Sequence, residues 1–473
     1  MSPTTPNVLP LTRTLSADTL TPVGILVAAR KQGIKGFLLE SVEGGSHLAR
    51  YSILGFEPRE RLFSREGKLF RRTAAGDECL PGSLPEALKA RLAAFRPQDL
   101  PELPRFAGGY VGYLGYACAA SVERLPVKPD PFGLPDAVLE RFDDIIIYDH
   151  VRSRVTLLAN AVLEDHASEP EARAEAQRRL ERLATLIASA GASPLDCGDV
   201  KPELPNLPGR EAYADAVTKA KEHIRLGDIF QVVLSTQFIT PYDGDPLDIY
   251  RRMRMSNPSP YHFFLDQEEA TILGGSPEML VRVENRQMEV RPIAGTRPRG
   301  ATPEADEILR SELLEDPKEA AEHVMLVDLG RNDVGRVCEF GSVKVAAFRT
   351  VEAYSHVFHI VSSVVGHLRP DAHPVDALFA GFPAGTVSGA PKIRAMEIIH
   401  DLEGPGRGVY SGAVGYFDYR GNLDTCIAIR SAIVKDGMVQ LQAGAGIVAD
   451  SVPDREFDEC RQKIAATATS LVR

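Results

Sequence analysis

The sequence predicts an α+β protein in which antiparallel strands and helices form separate layers. Three observations carry this expectation. Short strand-like runs crowd the first 190 residues, a second set of strands with a hairpin signal opens the second half, and helices follow those strands without alternating with them. A regular β–α–β pattern would need the two periods to interleave, and they do not.

In chain order, 37–41, 50–55 and 145–148 have the apolar, β-branched composition of short strands. The run Ala107-Gly-Gly-Tyr-Val-Gly-Tyr-Leu-Gly-Tyr116 has the glycine density of a phosphate-cradling loop. It lacks the Lys-Ser/Thr such a loop needs, and its aromatics alternate with glycines, so it predicts a close-packed strand. Residues 171–187 predict a charged amphipathic helix. Between Gly191 and Gly209, Pro194, Pro202, Pro205 and Pro208 interrupt any periodicity. The expected organisation is an N-terminal strand-rich region at 1–190, a Pro-rich linker at 191–209 and a C-terminal region at 210–473. That last region opens with a helix whose Tyr213, Val217, Ala220 and Ile224 share one face, closed by Gly227-Asp228. Strands are expected at 229–239, 271–274, 279–283 and 287–293, with a hairpin turn at Glu284-Asn-Arg286.

Composition narrows the function classes. With 44% hydrophobic and 25% charged residues, the profile is that of a folded soluble protein. The net charge is −11 and no long basic run occurs, which argues against a nucleic-acid partner, because phosphates are neutralised by clustered Lys and Arg. An anionic small substrate stays possible. No apolar stretch nears the roughly 20 residues of a membrane span, and residues 1–10 lack a basic-then-apolar signal order. Six scattered cysteines without a Cys-x-x-Cys pair predict reduced thiols in a cytoplasmic protein, not a zinc site. Tryptophan is the one residue type absent.

Two glutamate pairs stand out. Asp316-Pro317 predicts an N-cap and first helical residue, with the helix running to about Gly330. Glu319 falls where it would complete a capping box, whereas Glu322, on the same face, lies beyond the reach of capping and ahead of an apolar run. A second helix from about Pro453 places Glu456, Glu459 and Lys463 on one face. Spacing alone leaves two readings open: capped and solvated helix faces, or carboxylates that share a Mg²⁺, which takes one or two carboxylates and completes its shell with water and substrate oxygen.

Longer strings then coincide. They are Asn257-Pro-Ser-Pro-Tyr261, Gly275-Ser-Pro-Glu278, Arg291-Pro-Ile-Ala-Gly-Thr-Arg-Pro-Arg-Gly300, the stretch 322–333, and Phe382-Pro-Ala-Gly-Thr-Val-Ser-Gly-Ala-Pro-Lys392. Tyr410-Ser-Gly-Ala-Val-Gly-Tyr416, Asp424-Thr-Cys-Ile-Ala-Ile-Arg430 and Gln442-Ala-Gly-Ala-Gly-Ile447 complete the series. In this order, across nearly all of 210–473, they resemble the chorismate-utilising enzyme family. The resemblance implies a complex α/β sandwich with large antiparallel sheets flanked by helices, and Mg²⁺ dependence. By the same resemblance Glu322 and Glu459 match the metal ligands, supported by Glu319 and Glu456. Gly295, Thr296, Tyr410, Arg430, Gly444, Ala445, Gly446 and Lys463 match positions that hold chorismate, and Glu278, His359, Gln231 and Thr425 match catalytic positions. Physical sense supports these roles: Arg430 suits a bidentate grip on one carboxylate of a dianion, and a Gly-Ala-Gly backbone lets N–H groups approach an anion.

Within the family, the chain resembles members that convert chorismate and ammonia to anthranilate and pyruvate. Ala294 stands where aminodeoxychorismate synthases carry a nucleophilic Lys, and Gln231 where isochorismate and salicylate synthases carry a Lys that activates water. Neither replacement can do that chemistry, and ammonia needs no activation. Leu38-Leu-Glu-Ser41 together with 257–262 resembles a feedback site for L-tryptophan, implicating Glu40, Ser41, Asn257, Pro260, Tyr261 and His262, the last where some members have Met. The absence of tryptophan fits an enzyme made when that amino acid is scarce. No cysteine has the Gly-x-Cys-x-Gly setting of a glutamine amidotransferase, so glutamine use would need a partner subunit in a hetero-oligomer. The alternatives are aminodeoxychorismate formation and a catalytically silent tryptophan- or chorismate-binding regulatory subunit.

Overall fold

The structure, a computed structural model of the chain, describes residues 5–41, 50–195, 207–354 and 357–471. Two large sheets stack face to face, one of eleven strands and one of twelve, and the pairings between their strands are antiparallel. Strands buried on both faces read as near-continuous apolar runs, and Ile145 to Tyr148, within strand Asp144–Asp149, shows how this is used. Ile145 and Ile147 face the core between the sheets, while Ile146 faces the outer core under the helices. Gly109–Leu114, in the other sheet, alternates likewise: Val111 and Tyr113 point inward, Tyr110 and Leu114 outward. Aromatic rings fill the central layer, including Phe37 and Phe142 in an edge-to-face pair with centroids 4.8 Å apart. Such a pair adds about 0.5–1.5 kcal/mol beyond its buried area.

Helices cover the outer faces. Pro22–Lys31, Glu169–Ala188, Arg210–Leu226 and Pro453–Ala468 lie over the first sheet, and Leu84–Ala94, Pro317–Gly335 and Pro374–Gly381 over the second. The expected α+β sandwich is what forms. The expected division near residue 190 separates two lengths of chain that share both sheets. Strand Gly36–Glu40 pairs with Tyr261–Asp266, and Gly109–Leu114 pairs with Ala413–Asp418. Of the expected linker, 196–206 lies outside the described residues.

Local expectations mostly hold, with instructive exceptions. The hairpin forms with Glu284 opposite Gln287, and Asn285 and Arg286 take the positive φ (49° and 66°) that a two-residue turn demands. The strand expected over 287–293 is instead two, Gln287–Val290 and Ile293–Pro298, because Pro292 has no N–H to continue a ladder. The glycine-rich run is a strand as expected: a Cβ on Gly112 would lie 1.9 Å from the Val138 carbonyl oxygen of the next strand. Helix Pro317–Gly335 continues past the expected stop at Gly330. That glycine is there for packing, since a Cβ would sit 3.1 Å from Val290 Cγ2 and 3.3 Å from Pro292 Cγ. The five described cysteines are free.

Candidate active site

Two helices and the ends of both sheets enclose a solvent-open cleft of about 1130 Å³. Strands Gln231–Pro241 and Met438–Ile447 form one wall, Ile293–Pro298 and Val357–His367 another, and helices Pro317–Gly335 and Pro453–Ala468 carry Glu322, Glu459 and Lys463 into it. Gln231, Glu278, Thr296, His359, Tyr410 and Arg430 also line it. Residues spread over more than 230 positions of sequence thus meet in one space.

The Gly-Ala-Gly stretch shows strand parity at work. Gly444 and Gly446 face the cleft, while Ala445 points the other way into the outer core. The glycines make room: a Cβ on Gly446 would lie 2.7 Å from Gln231 Nε2, and one on Gly444 would lie 3.0 Å from the Tyr410 hydroxyl. Any contact from Ala445 would thus come from its backbone, as the Gly-Ala-Gly reading expects.

Glu278 follows the strand Thr271–Ser276, and its carbonyl accepts from Ile427 N at 3.1 Å. Desolvation in the cleft pushes its carboxyl up to about 8, opposed only by the Thr386 hydroxyl, which donates to Oε1 at 2.9 Å. Glu278 therefore keeps its proton near neutral pH. Thr386 was not among the expected site residues, although it lies within the 382–392 string; the string marks a functional loop without showing which side chain turns inward. Thr425 was expected in the site and is not in its wall. It is buried in strand Leu423–Ile427, where its hydroxyl donates to the Val281 carbonyl at 2.9 Å. Parity puts Thr425 on the face of Leu423 and Ile427, toward the outer core beneath the helices.

His359 Nδ1 lies 3.1 Å from the Gly295 carbonyl oxygen. A carbonyl only accepts, so Nδ1 carries the proton and Nε2 is the basic nitrogen. Thr296 Oγ1 is also 3.1 Å from Nδ1, and desolvation lowers the imidazole's pKa, keeping the ring neutral. Gly295 takes φ 75°, a turn that brings its carbonyl to the histidine. Arg430 also has positive φ (51°), a strained backbone that aims its side chain at the cleft, and burial lowers its pKa. Among the described residues no hydrogen bond or ion pair engages its guanidinium, which is left available to an anion.

Glu322 accepts from Gln231 Nε2 at 3.3 Å, and its pKa is raised by burial and then by the neighbouring Glu319 and Glu459. Glu459 pairs with Lys463 at 2.6 Å, and Lys463 Nζ also donates to the Gly444 carbonyl at 2.8 Å. The supporting glutamates stand outside the cleft wall. Asp316 caps its helix as expected, but Glu319 pairs with Arg297 at 3.3 Å and closes no capping box. Glu456 is turned toward Ser451 and is raised by burial. Among the described residues no group of three or more His, Cys, Asp and Glu side chains forms a metal cage. Two facing carboxylates, one of them raised by its acidic neighbours, do fit an open Mg²⁺ site that takes its remaining ligands from water and substrate.

A second pocket, about 1620 Å³, opens between the sheets nearer the N-terminal strands. It gathers Glu40, Ser41, Pro260, Tyr261 and His262, with strand pairing setting Glu40 opposite His262. Glu40 accepts from the Tyr250 hydroxyl at 2.6 Å and Arg254 Nε at 2.8 Å. His262 is 1% exposed, and burial drops its pKa to about 4. Asn257, expected here, is instead the C-cap of helix Pro246–Ser256 and lies outside the pocket wall.

Comparison with known proteins gives a consistent match. The family model for chorismate binding enzymes matches residues 37–469. Anthranilate synthase component 1 of Acetivibrio thermocellus is 46% identical over 475 residues, covering 98% of this chain and 95% of that protein. Its counterpart in Cereibacter sphaeroides is 44% identical, covering 96% and 92%. The crystal structure of anthranilate synthase component I from Streptococcus pneumoniae TIGR4 superposes with a TM-score of 0.79 at 34% identity, covering 96% of this chain and 98% of that one. The menaquinone-specific isochorismate synthase of Escherichia coli shares the fold, with a TM-score of 0.72 at 19% identity over 99% and 95% of the two chains.

Proposed function

The chain belongs to the chorismate-binding enzyme family and is an enzyme acting on chorismate; from that premise we propose that it is an anthranilate synthase large subunit, converting chorismate and ammonia to anthranilate and pyruvate. The observation that carries this reading is one cleft holding a protonated acid, Glu278, beside two positions, Gln231 and Ala294, that offer neither a base nor a nucleophile. A neutral amide cannot activate water and a methyl group cannot attack a ring carbon, whereas ammonia is already nucleophilic. Amination at C4 through a covalent lysine intermediate has no lysine at position 294 to perform it.

The side chains divide the work. Arg430 grips one carboxylate of the dianion, and Tyr410, Thr296 and the Gly444 and Gly446 backbone shape the pocket around the ring. Glu278 gives its proton to the C4 hydroxyl as that group leaves and ammonia adds at C2. His359, through Nε2, takes the ring proton when enolpyruvate is later lost and the ring becomes aromatic. Glu322 and Glu459 would hold a Mg²⁺, which neutralises substrate carboxylate charge when bound.

The second pocket is proposed as the L-tryptophan feedback site, with Ser41 and Glu40 beside Tyr261 and His262. Glutamine is proposed to serve as nitrogen source only through a separate amidotransferase subunit, and the cytoplasm is the proposed location. Among the described residues no helix is long and apolar enough to cross a membrane. Incubating the purified chain with chorismate, Mg²⁺ and an ammonium salt tests the reading. Anthranilate fluorescence is expected; a 4-amino product, or no turnover, would remove it.

A further inference from the structure

A further, solvent-open cavity, with about 50 Å³ of room for water, borders Glu278 on the side away from the cleft. Helix Pro317–Gly335 bounds it with Leu326, Leu329, Gly330 and Asp333, and the turn 290–292 and loop 381–386 close the other sides. Glu278, Leu326 and Thr386 line both this cavity and the cleft, so Glu278 sits at the partition between them. On its far side Arg291, Leu329, Ala384 and Gly385 keep partial exposure.

The walls are kept clear by small residues. A Cβ on Gly385 would lie 2.2 Å from Leu329 Cδ2, and the close packing of Gly330 on Val290 and Pro292 likewise leaves no space for a side chain. The surface is polar where water needs partners. Asp333, buried and held by Lys392 at 3.0 Å, adds to the Glu278 carboxyl and Thr386 hydroxyl.

A general acid that protonates a leaving hydroxyl becomes a carboxylate in every turnover. With substrate in the cleft, that face of Glu278 is covered. We propose that the rear cavity is a water-filled passage through which Glu278 is reprotonated; this rests on Glu278 being the acid of the proposed reaction. The step balances. The C4–O bond breaks with its electron pair going to oxygen, which takes the Glu278 proton and leaves as water. The carboxylate regains a proton relayed from solvent, and the C2 ammonium returns one to solvent on becoming the amine.

Narrowing the passage tests this. Leu329→Trp should lower kcat about tenfold, while kcat/KM for chorismate, which ends with the first use of a proton already in place, stays within about twofold. A rapid first turnover followed by slow ones is expected in stopped-flow fluorescence. Leu329→Ala, which widens the same wall, should keep the wild-type kcat. The proposal is overturned if folded Leu329→Trp, judged by an unchanged Tm, keeps its kcat or loses kcat and kcat/KM together. It is equally overturned if Leu329→Ala slows as much as Leu329→Trp does, since Leu329 would then act by positioning the Gly385 loop; Leu329→Ala decides the matter should Leu329→Trp misfold. Wild-type protein that makes no anthranilate would instead defeat the underlying reading.

Discussion

The molecule has two pockets that carry buried glutamates, one at the sheet ends and one between the sheets, and they treat their carboxylates oppositely. In the N-terminal-side pocket, Glu40 is saturated: Tyr250, Arg254 and Ser52 all donate to it. In the cleft, Glu278 has one hydroxyl and Glu322 one amide, and burial raises both above the ordinary carboxylate range. A saturated acid is a fixed element of shape and recognition. An under-satisfied one stores reactivity: it holds a proton to give away or favours a cation. The contrast separates a pocket suited to binding from a cleft suited to chemistry.

Substitutions on the cleft side should break that contrast most. Glu278→Gln is expected to lower kcat by about 10²–10⁴ with chorismate still bound, as read by steady-state kinetics and a binding titration; undiminished kcat would sink the assignment. Next in size, Glu322→Gln should raise the Mg²⁺ concentration for half-maximal activity at least about tenfold, with EDTA abolishing wild-type turnover and Mg²⁺ restoring it. An unaltered Mg²⁺ response would exclude Glu322 as a ligand. On the other side, Ser41→Phe should relieve inhibition by L-tryptophan, effective in the wild type at about 1 mM or less, and leave kcat untouched. Unchanged inhibition would place the effector elsewhere. The smallest effect belongs to Thr386→Val. Its hydroxyl bonds to and favours the carboxylate form of Glu278, so removing it should move the alkaline limb of activity to higher pH.

Much of this was legible in the chain. Period-two apolar runs and the Asn285-Arg286 turn gave strands and hairpin, and Glu322, Glu459 and Lys463 line the cleft from helices whose spacing was read, while Glu319 and Glu456, at the same spacing, do not. What spacing cannot carry is register. Thr425 was expected in the cleft and faces the outer core, because which way a strand residue points depends on pairing partners over a hundred positions away. For the same reason the sheets' continuity across residues 190–210 was hidden, as was Thr386, whose role depends on the distant Glu278. Pro292, by contrast, was visible and should have divided the strand expected over 287–293.

The most direct test of the central claim, that the cleft keeps Glu278 protonated for catalysis, is the pH dependence of kcat/KM for chorismate with free ammonia held constant. General acid catalysis uses the protonated form, which persists below the carboxyl's pKa and disappears above it. The account predicts full activity at neutral pH and a falling limb centred near 8. A limb near 4.5, the ordinary glutamate value, would contradict it.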